Sequence, residues 1–269
     1  MGLRAGTVFH GTVGQPSAQI IDGSLKFDGS STYLRRTPGS ASNRKTWTWS
    51  AWVKRDLFGD RHNVFGAQGG DNNGNCYIEF RSNDRFQLEE YNDSGLDFIR
   101  TLDQVTRDTG WAHWVVVYDS TQSTDNNKQK IYKNGVLQTD TNALTHPSLN
   151  EDSAINNNAE HRIGIFPKDG VADAHLDGRL SQVYLIDGQA LTPDSFGFTD
   201  PLTNTWRPKK YTGTFGTNGF WLPMDGNSPI GQDKSGKGNN WTPVNFSGTS
   251  VDPDVLKDSP SGAVFGEPP

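Results

Sequence analysis

The chain contains the stretch Trp111-Ala-His-Trp-Val-Val-Val-Tyr-Asp119, then a polar run, then Ile131-Tyr-Lys-Asn-Gly-Val-Leu137. Apolar side chains occupy both alternating sets of positions in the first segment, so a β-strand there would be covered on both faces. Asn134-Gly135 tolerates the two positive φ angles of a type I′ turn, which would place Tyr132 opposite Leu137. The stretch therefore predicts a buried central strand followed by a tight hairpin.

The composition favours short strands over helices. The 269 residues include 30 Gly and 14 Pro, and aromatic residues make up 11% of the chain. Frequent turn residues between short apolar runs are typical of all-β proteins. A chain of this length can form one large all-β domain with extensions, or at most two domains.

The net charge and the lengths of the apolar runs indicate whether the protein can bind nucleic acid or span a membrane. The net charge is −6 and the isoelectric point is about 5.5, whereas phosphate contacts need clustered Lys and Arg. No run approaches the roughly 18 apolar residues of a membrane span, and the first residues lack the apolar run of a signal peptide. We therefore expect a protein that folds in a cytoplasm and binds neither nucleic acid nor membrane. Its single cysteine, Cys76, allows no internal disulfide.

Short alternating segments cover the middle of the chain. In residues 46–54, Trp47 and Trp49 fall on the same face, which indicates a strand that faces a core. Further candidate strands lie at 24–29, 63–66, 76–81, 86–91, 161–165 and 178–186. Many short strands without alternating helices predict an all-β fold, a two-sheet antiparallel sandwich of jelly-roll type.

The amino-acid composition changes along the chain and predicts three regions. Residues 1–22 form a polar lead-in, residues 23–198 form the sandwich, and residues 199–269 form an irregular C-terminal extension. The extension is rich in Pro, Gly, Asn and Asp and carries isolated aromatic residues such as Trp206 and Trp241. Isolated aromatic side chains in irregular chain usually plug a neighbouring surface, either in the same domain or in another subunit.

The central stretch resembles a known family. Trp111-x-His113-x-x-x-Val117-Tyr118-Asp119, followed by the Asn134-Gly135 hairpin, looks like the core motif of laminin-G-like domains in the concanavalin A-like lectin/glucanase superfamily. Segments 25–29, 50–53 and 176–192 agree with the resemblance in the right order, so it covers roughly residues 23–198. It implies a jelly-roll sandwich whose rim often holds Ca²⁺, which can bridge a sugar.

The C-terminal region carries a second resemblance. Runs 220–225, 230–243 and 255–260 are similar to a tail that follows laminin-G-like modules in virion proteins of marine bacteriophages. This implies a non-catalytic virion structural protein, exposed on the capsid or on a tail or fibre and assembled in the host cytoplasm. Its partners would be other virion proteins and further copies of itself, and a host surface glycan is a candidate ligand. The alternative is a free carbohydrate-binding module or lectin.

No catalytic constellation is visible in the sequence, so we expect no enzyme. Glucanases of this superfamily carry a Glu-x-Asp-x-(x)-Glu strand, because a retaining hydrolase needs two carboxylates about 5 Å apart. Here Glu79 stands alone, and the adjacent Glu89 and Glu90 would point to opposite faces of a strand. Residues 231–237 imitate a phosphate-binding loop, but Gly238 stands where Ser or Thr should hold Mg²⁺, which favours a polar loop.

One oxygen-rich loop is a candidate cation or glycan site. Asp71-Asn72-Asn73-Gly74-Asn75 offers Asp71, Asn73 and Asn75 as oxygen ligands of the kind that Ca²⁺ prefers. Ser82 occupies the position where a bidentate Glu would complete an EF-hand, so a solvated turn is favoured over a bound metal. The six histidines show no zinc-ligand spacing. We therefore assign no cofactor, with Ca²⁺ kept open for this loop alone.

Overall fold

The fold is known from a computed structural model that describes residues 18–69, 74–92, 94–167, 174–247 and 254–261. The strands of these residues are Ser24–Asp28 (β1), Tyr33–Arg36 (β2), Thr46–Arg55 (β3), His62–Gln68 (β4), Asn75–Phe80 (β5), Arg85–Asn92 (β6), Gly95–Val105 (β7), Ala112–Asp119 (β8), Gln129–Lys133 (β9), Val136–Leu137 (β10), Thr141–Thr145 (β11), His161–Ile163 (β12), Asp177–Asp187 (β13), Gly197–Thr199 (β14), Trp206–Pro208 (β15), Phe220–Leu222 (β16), Thr242–Val244 (β17) and Val255–Leu256 (β18). Two short 3₁₀ helices span Asp125–Asn127 and Pro193–Ser195.

Two large antiparallel sheets form a sandwich, as predicted. Within the described residues, the first sheet has the order β10-β9-β8-β3-β13-β1-β18, and β16 also pairs with β13. The second sheet has the order β11-β7-β6-β5-β4-β12-β2-β17. A small sheet of β14 and β15 completes the described strands. The prediction of an all-β jelly-roll sandwich is therefore confirmed.

The central stretch adopts the predicted structure. Strand β8 is buried along its whole length and lies between β3 and β9. Asn134 and Gly135 have φ angles of 48° and 80°, and the turn places Leu137 opposite Tyr132. Such a turn suits the right-handed twist of the flanking strands.

Both faces of β8 are covered, for two different reasons. The face that carries Trp114 and Tyr118 points between the sheets, where Trp114 stacks on Phe86 with ring centroids 4.1 Å apart. The face that carries Val115 and Val117 belongs to a second apolar cluster, to which residues beyond 195 contribute Phe196, Tyr211 and Phe215. Strand β8 is apolar on both faces because one face packs in the main core and the other packs against residues beyond 195.

The C-terminal extension is more regular than predicted. Its described part includes β15 and three strands, β16, β17 and β18, that pair with β13, β2 and β1 of the main sheets. Trp241 is 3% exposed and lies in the main core, with its ring centroid 5.0 Å from that of Phe220 and 6.3 Å from that of Phe65. Trp241 therefore packs into the core of the same domain.

No helix among the described residues is long and apolar enough to cross a membrane.

Candidate functional site

The outward face of the second sheet carries a polar and aromatic cluster. In β5, Cys76, Ile78 and Phe80 belong to the main core, so Tyr77 and Glu79 point to the other face. Phe86 and Leu88 of β6 are core residues as well, which turns Gln87, Glu89 and Tyr91 outward. The register then places Glu79 opposite Gln87 and Tyr77 opposite Glu89.

Gln87 is the centre of this cluster. Its amide nitrogen donates to the carboxylates of Glu79 and Glu89, at 2.6 Å in each case. Its amide oxygen accepts from the hydroxyl of Thr101 at 2.9 Å and from the guanidinium of Arg81 at 3.0 Å. A primary amide can donate two hydrogen bonds and accept two, so both ends of Gln87 are satisfied. The side chains are consequently held in one arrangement on rigid strands.

Arg61 joins the acidic and aromatic parts of the cluster. Its Nε donates to Glu79 at 2.6 Å, and its guanidinium lies 5.3 Å from the ring centroid of Tyr77 and 5.1 Å from that of Phe166. Tyr77 in turn stacks on Tyr91 with centroids 6.2 Å apart. Burial raises the pKa of Glu79 to about 7, although the Arg61 guanidinium acts in the opposite direction. Burial and the neighbouring Glu89 also raise the pKa of Tyr77.

The two glutamates are closer together than the sequence indicated. Because both carboxylates bind the same nitrogen at 2.6 Å, the bound oxygens of Glu79 and Glu89 lie within about 5 Å of each other, a separation found in retaining glycosidases. The expectation that Glu79 stands alone was therefore wrong. However, the amide of Gln87 occupies the space between the carboxylates, which is where a glycosidic bond would have to lie.

His113 of the central motif has no catalytic geometry. The indole nitrogen of Trp206 donates to Nδ1 of His113 at 3.0 Å, so the neutral ring carries its proton on Nε2. That nitrogen faces Oγ of Ser50 at 2.8 Å and donates to it, so it cannot also take a proton from the serine. Burial lowers the pKa of His113 to about 3. The ring is a packed, hydrogen-bonded core residue, as expected.

Cys76 is an equally poor nucleophile. The thiol is fully buried in the main core. Burial raises its pKa well above the ordinary value, which keeps it protonated, whereas thiol catalysis needs the thiolate.

The structure describes only the last two residues of the candidate cation loop, Gly74 and Asn75. Asp71 and Asn73 lie outside the described residues, so their part in a cation or glycan site stays a prediction. Asn75 is the first residue of β5, is 7% exposed, and pairs with Gln68 and Tyr91 in the sheet. It is thus a strand residue rather than part of an open turn. In the part of the chain that the structure describes, no group of three or more His, Cys, Asp or Glu could hold a metal ion.

The loop that imitates a phosphate-binding loop is closed around a carboxylate. Asp233 accepts hydrogen bonds from the backbone amides of Trp221, Ser235 and Asn239, at 2.9, 2.8 and 2.8 Å. These amides are occupied by an acidic side chain, so they are not free for a phosphate. The loop instead positions Trp241 at the main core.

Comparison with known proteins identifies the family. A laminin-G family model, described as the concanavalin A-like lectin/glucanases superfamily, matches residues 28–195, which is more than half of the chain. The chain belongs to this family. The resemblance inferred from the central motif is thus confirmed. A comparison with curated protein sequences finds no match for this laminin-G-like chain.

The chain is similar to several solved structures at low sequence identity. A candidate carbohydrate-binding protein from Bacteroides ovatus has a TM-score of 0.55 and 16% identity, over 83% of this chain and 59% of that one. Domains LG4-5 of the mouse laminin alpha1 chain give a TM-score of 0.44 and 11% identity, over 76% of this chain and 51% of that one. Domain 4 of an extracellular arabinanase from Geobacillus stearothermophilus, in complex with arabinotriose, gives 0.45 and 19%, over 67% and 79%. The laminin-G-like chain therefore spans about three fifths of the first of these proteins.

The sequence carries a local signal for most of the outward cluster. Tyr77 and Glu79 alternate with core residues on one strand, and Gln87, Glu89 and Tyr91 do so on the next. The turn between the two strands is short, so its length could have fixed their register. In contrast, Arg61 and Phe166 approach from outside these two strands, and no local pattern indicated them.

Proposed function

We propose that this laminin-G-like domain binds carbohydrate without cleaving it and is exposed on the surface of a bacteriophage virion, on the capsid or on a tail or fibre. The carbohydrate part is supported by one observation above all. The stacked pair of Tyr77 and Tyr91 is bordered by Arg61 and Glu89 on one face of a rigid sheet.

This combination suits a sugar for physical reasons. An aromatic ring can cover the C–H face of a sugar, while a guanidinium donates to its hydroxyl groups and a carboxylate accepts from them. Tyr91 is only partly buried and the side chain of Arg61 is 39% exposed, so these two residues offer the accessible surface, whereas Tyr77 and Glu89, at 3% and 4% exposure, support them from below. Because the cluster is already fixed by hydrogen bonds, binding would cost little further ordering of side chains.

The absence of cleavage is proposed from the same cluster. Hydrolysis would need a bond of the substrate between Glu79 and Glu89, and the Gln87 amide holds that place with four hydrogen bonds. Displacing it would leave buried polar groups without partners, which is costly. Substrates that bind should therefore be recovered intact, and incubation with bound glycans followed by product analysis tests this. Release of sugar that is lost in Glu79→Gln would overturn this part of the proposal.

A glycan array on the purified protein tests the binding. We expect selective binding by the wild type, and a loss of about tenfold or more in Tyr91→Ala, because a stacked aromatic ring contributes on the order of 1 kcal/mol beyond its buried area. Tyr132→Ala is the matched control, since Tyr132 is a partly buried tyrosine on the other sheet. Equal loss in both variants, or a silent array, would argue against this face as a glycan site.

The virion part of the proposal has its own test. It is supported by the similarity of runs 220–225, 230–243 and 255–260 to tails of phage virion proteins, and partners would be other virion proteins and further copies of the chain. A mass-spectrometric inventory of purified particles, with immuno-gold labelling, should find the protein on the particle surface. Selective glycan binding by a protein that is missing from particles would instead favour a free carbohydrate-binding module or lectin.

A further inference from the structure

A second site lies at the open edge of the sandwich. A groove of about 310 Å³ is bordered by β7, β9, β10 and β11, and its lining includes Arg100, Asn127, Gln129, Lys130, Leu137 and Leu144. We call it the edge groove. Its volume is at the lower end of the range for pockets that bind small molecules. It is separate from the glycan face proposed above, because Arg100 is paired in register with the core residue Leu88 and so points to the inward side of the second sheet.

Arg100 is the unusual residue of the edge groove. It is 5% exposed, and among the described residues it has neither an ion-pair partner nor a hydrogen-bond partner. Its Nε is buried and unpaired. Burial lowers the pKa of Arg100 but leaves an arginine charged at neutral pH. The two terminal nitrogens of its guanidinium are not among the buried unpaired atoms, so they remain accessible to a ligand, and a ligand of opposite charge would be stabilised beside this largely buried cation.

The two other buried arginines among the described residues each have a carboxylate partner, which Arg100 lacks. Arg55 is also 5% exposed, and its guanidinium donates to Asp84 at 2.6 Å. Arg162 is 5% exposed, and its Nε donates to Glu160 at 2.6 Å. The fold thus supplies a carboxylate to each of these two arginines and supplies none among its described residues to Arg100.

The rest of the edge groove adds to the recognition of an anion that carries hydroxyl groups. Within β9, Gln129 is the residue that faces inward, because it lies opposite Tyr118 of the main core, whereas Lys130 lies opposite Val117 and faces the outer apolar cluster. The amide oxygen of Gln129 is buried and unpaired, so it can accept from a ligand hydroxyl. Leu144, which lies opposite Arg100 in the sheet and is 37% exposed, offers apolar surface to a ring.

We propose that the edge groove binds a small acidic sugar, with Arg100 receiving its carboxylate, sulfate or phosphate group. Arg100 supplies parallel N–H donors that match a planar or tetrahedral anion. Gln129 and the amides of the rim take the hydroxyl groups. This site does not depend on the outward face of the second sheet, and either can exist without the other.

Calorimetric titration with matched pairs of sugars tests the proposal. Glucuronate is compared with glucose, and galacturonate with galactose, at constant ionic strength; inorganic sulfate and phosphate are titrated separately. We expect the acidic member of a pair to bind and the neutral member to fail. If sulfate or phosphate binds as tightly as the acidic sugars, the groove is a site for the free ion and the sugar part of the proposal is overturned.

Variants assign the binding to the edge groove. Arg100→Met should weaken binding of the acidic sugar about 10- to 100-fold, as expected for the loss of hydrogen bonds to a charged group. Without ligand it should unfold at the same temperature as the wild type or higher, because an unpaired buried charge is removed. Arg85→Met is the matched control, since Arg85 lies on the same sheet and pairs with Asp103. It should bind like the wild type.

Two results would overturn the assignment. One is unchanged affinity of Arg100→Met, and the other is a wild type that does not distinguish acidic from neutral sugars. If Arg100→Met fails to fold, Arg100→Lys, which keeps the positive charge but loses the parallel N–H donors, should still lower the affinity for the acidic sugar. Tyr91→Ala should leave this binding intact, which separates failure here from failure of the proposed glycan face.

Discussion

Trp206 of the C-terminal region donates a hydrogen bond to Nδ1 of His113 in the central motif, at 3.0 Å. The two rings are also stacked, with an interplanar angle of 20°. The histidine of the family motif therefore binds the segment that covers the outer side of β8. Its conformation and tautomer are set by a residue that lies 93 positions further along the chain.

The same tryptophan makes the hairpin turn sensitive to substitution. A Cβ at Gly135 would overlap the indole ring of Trp206, and φ there is 80°, which L-residues rarely adopt. Gly135→Ala should therefore lower the free energy of unfolding by roughly 1–3 kcal/mol, measured by urea denaturation. Gly110→Ala is the control, because nothing lies within 4 Å of its Cβ position, and it should have little effect. If both variants were equally stable, the hairpin would be able to shift enough to accommodate the added methyl group.

Trp241 links the C-terminal extension to the stability of the whole sandwich. Its indole is 3% exposed between the rings of Phe65 and Phe220. Trp241→Ala should cost about 3–5 kcal/mol, as truncations of large buried aromatic residues do. Leu202→Ala, at a position 93% exposed, should be neutral. A small effect of Trp241→Ala would mean that the extension and the sandwich fold independently.

These contacts show which features the sequence could predict. Strand β8 and the Asn134-Gly135 hairpin were predictable because their signals are local: an apolar run and a turn that needs positive φ. The strands of the extension were not, because their partners are remote; Ser24, for example, donates to the backbone oxygen of Asp258, 234 positions away. Pairing over such a distance leaves no local pattern.

The two candidate sites also differ in how far the sequence could predict them. The alternation of Glu79 and Glu89 with core residues was visible, but bringing them together required the register of β5 and β6. Arg100 carried no sequence signal at all, since a single arginine within an otherwise ordinary strand is usually exposed or paired. Its isolation becomes evident only when the surrounding side chains are placed.

The buried carboxyl of Glu90 should make stability depend on pH. Glu90 accepts hydrogen bonds from Ser153 and from the backbone of Ala154, and burial raises its pKa from 4.5 to about 7. Between these values the folded state holds a proton that the unfolded state has lost, so the free energy of unfolding falls as pH rises from about 4.5 to about 7. In Glu90→Gln, which stays neutral, the loss between about pH 5 and pH 8 should be smaller by roughly 2–3 kcal/mol.

Urea denaturation of both proteins across this pH range measures the difference. Ser123→Ala is a suitable control, because Ser123 is exposed and carries no ionisable group, so the pH dependence should stay as it is in the wild type. Parallel pH profiles for the wild type and Glu90→Gln would contradict a raised pKa for this carboxyl.

Two buried histidines should lower the free energy of unfolding as the pH falls into the acid range, whereas Glu90 lowers it as the pH rises. His113 accepts at Nδ1 from Trp206, and His161 accepts at Nε2 from the backbone amide of Asn156 at 3.0 Å. Protonating either nitrogen would place a proton against an N–H donor. Burial lowers the pKa values from 6.5 to about 3 for His113 and about 4 for His161.

Because the folded state excludes these protons, the stability contributed by His113 and His161 is complete above pH 6.5 and is lost as pH falls towards about 3 for His113 and about 4 for His161. Each histidine can add at most about 1.4 kcal/mol per pH unit to the slope of the free energy of unfolding. In NMR titrations of the folded protein, the ring protons of both should remain unchanged between pH 8 and about pH 5, whereas in denaturant they should titrate near 6.5. Titration of His113 near 6.5 in the folded protein would mean that its nitrogen is open to water and that the contact with Trp206 is not maintained in solution.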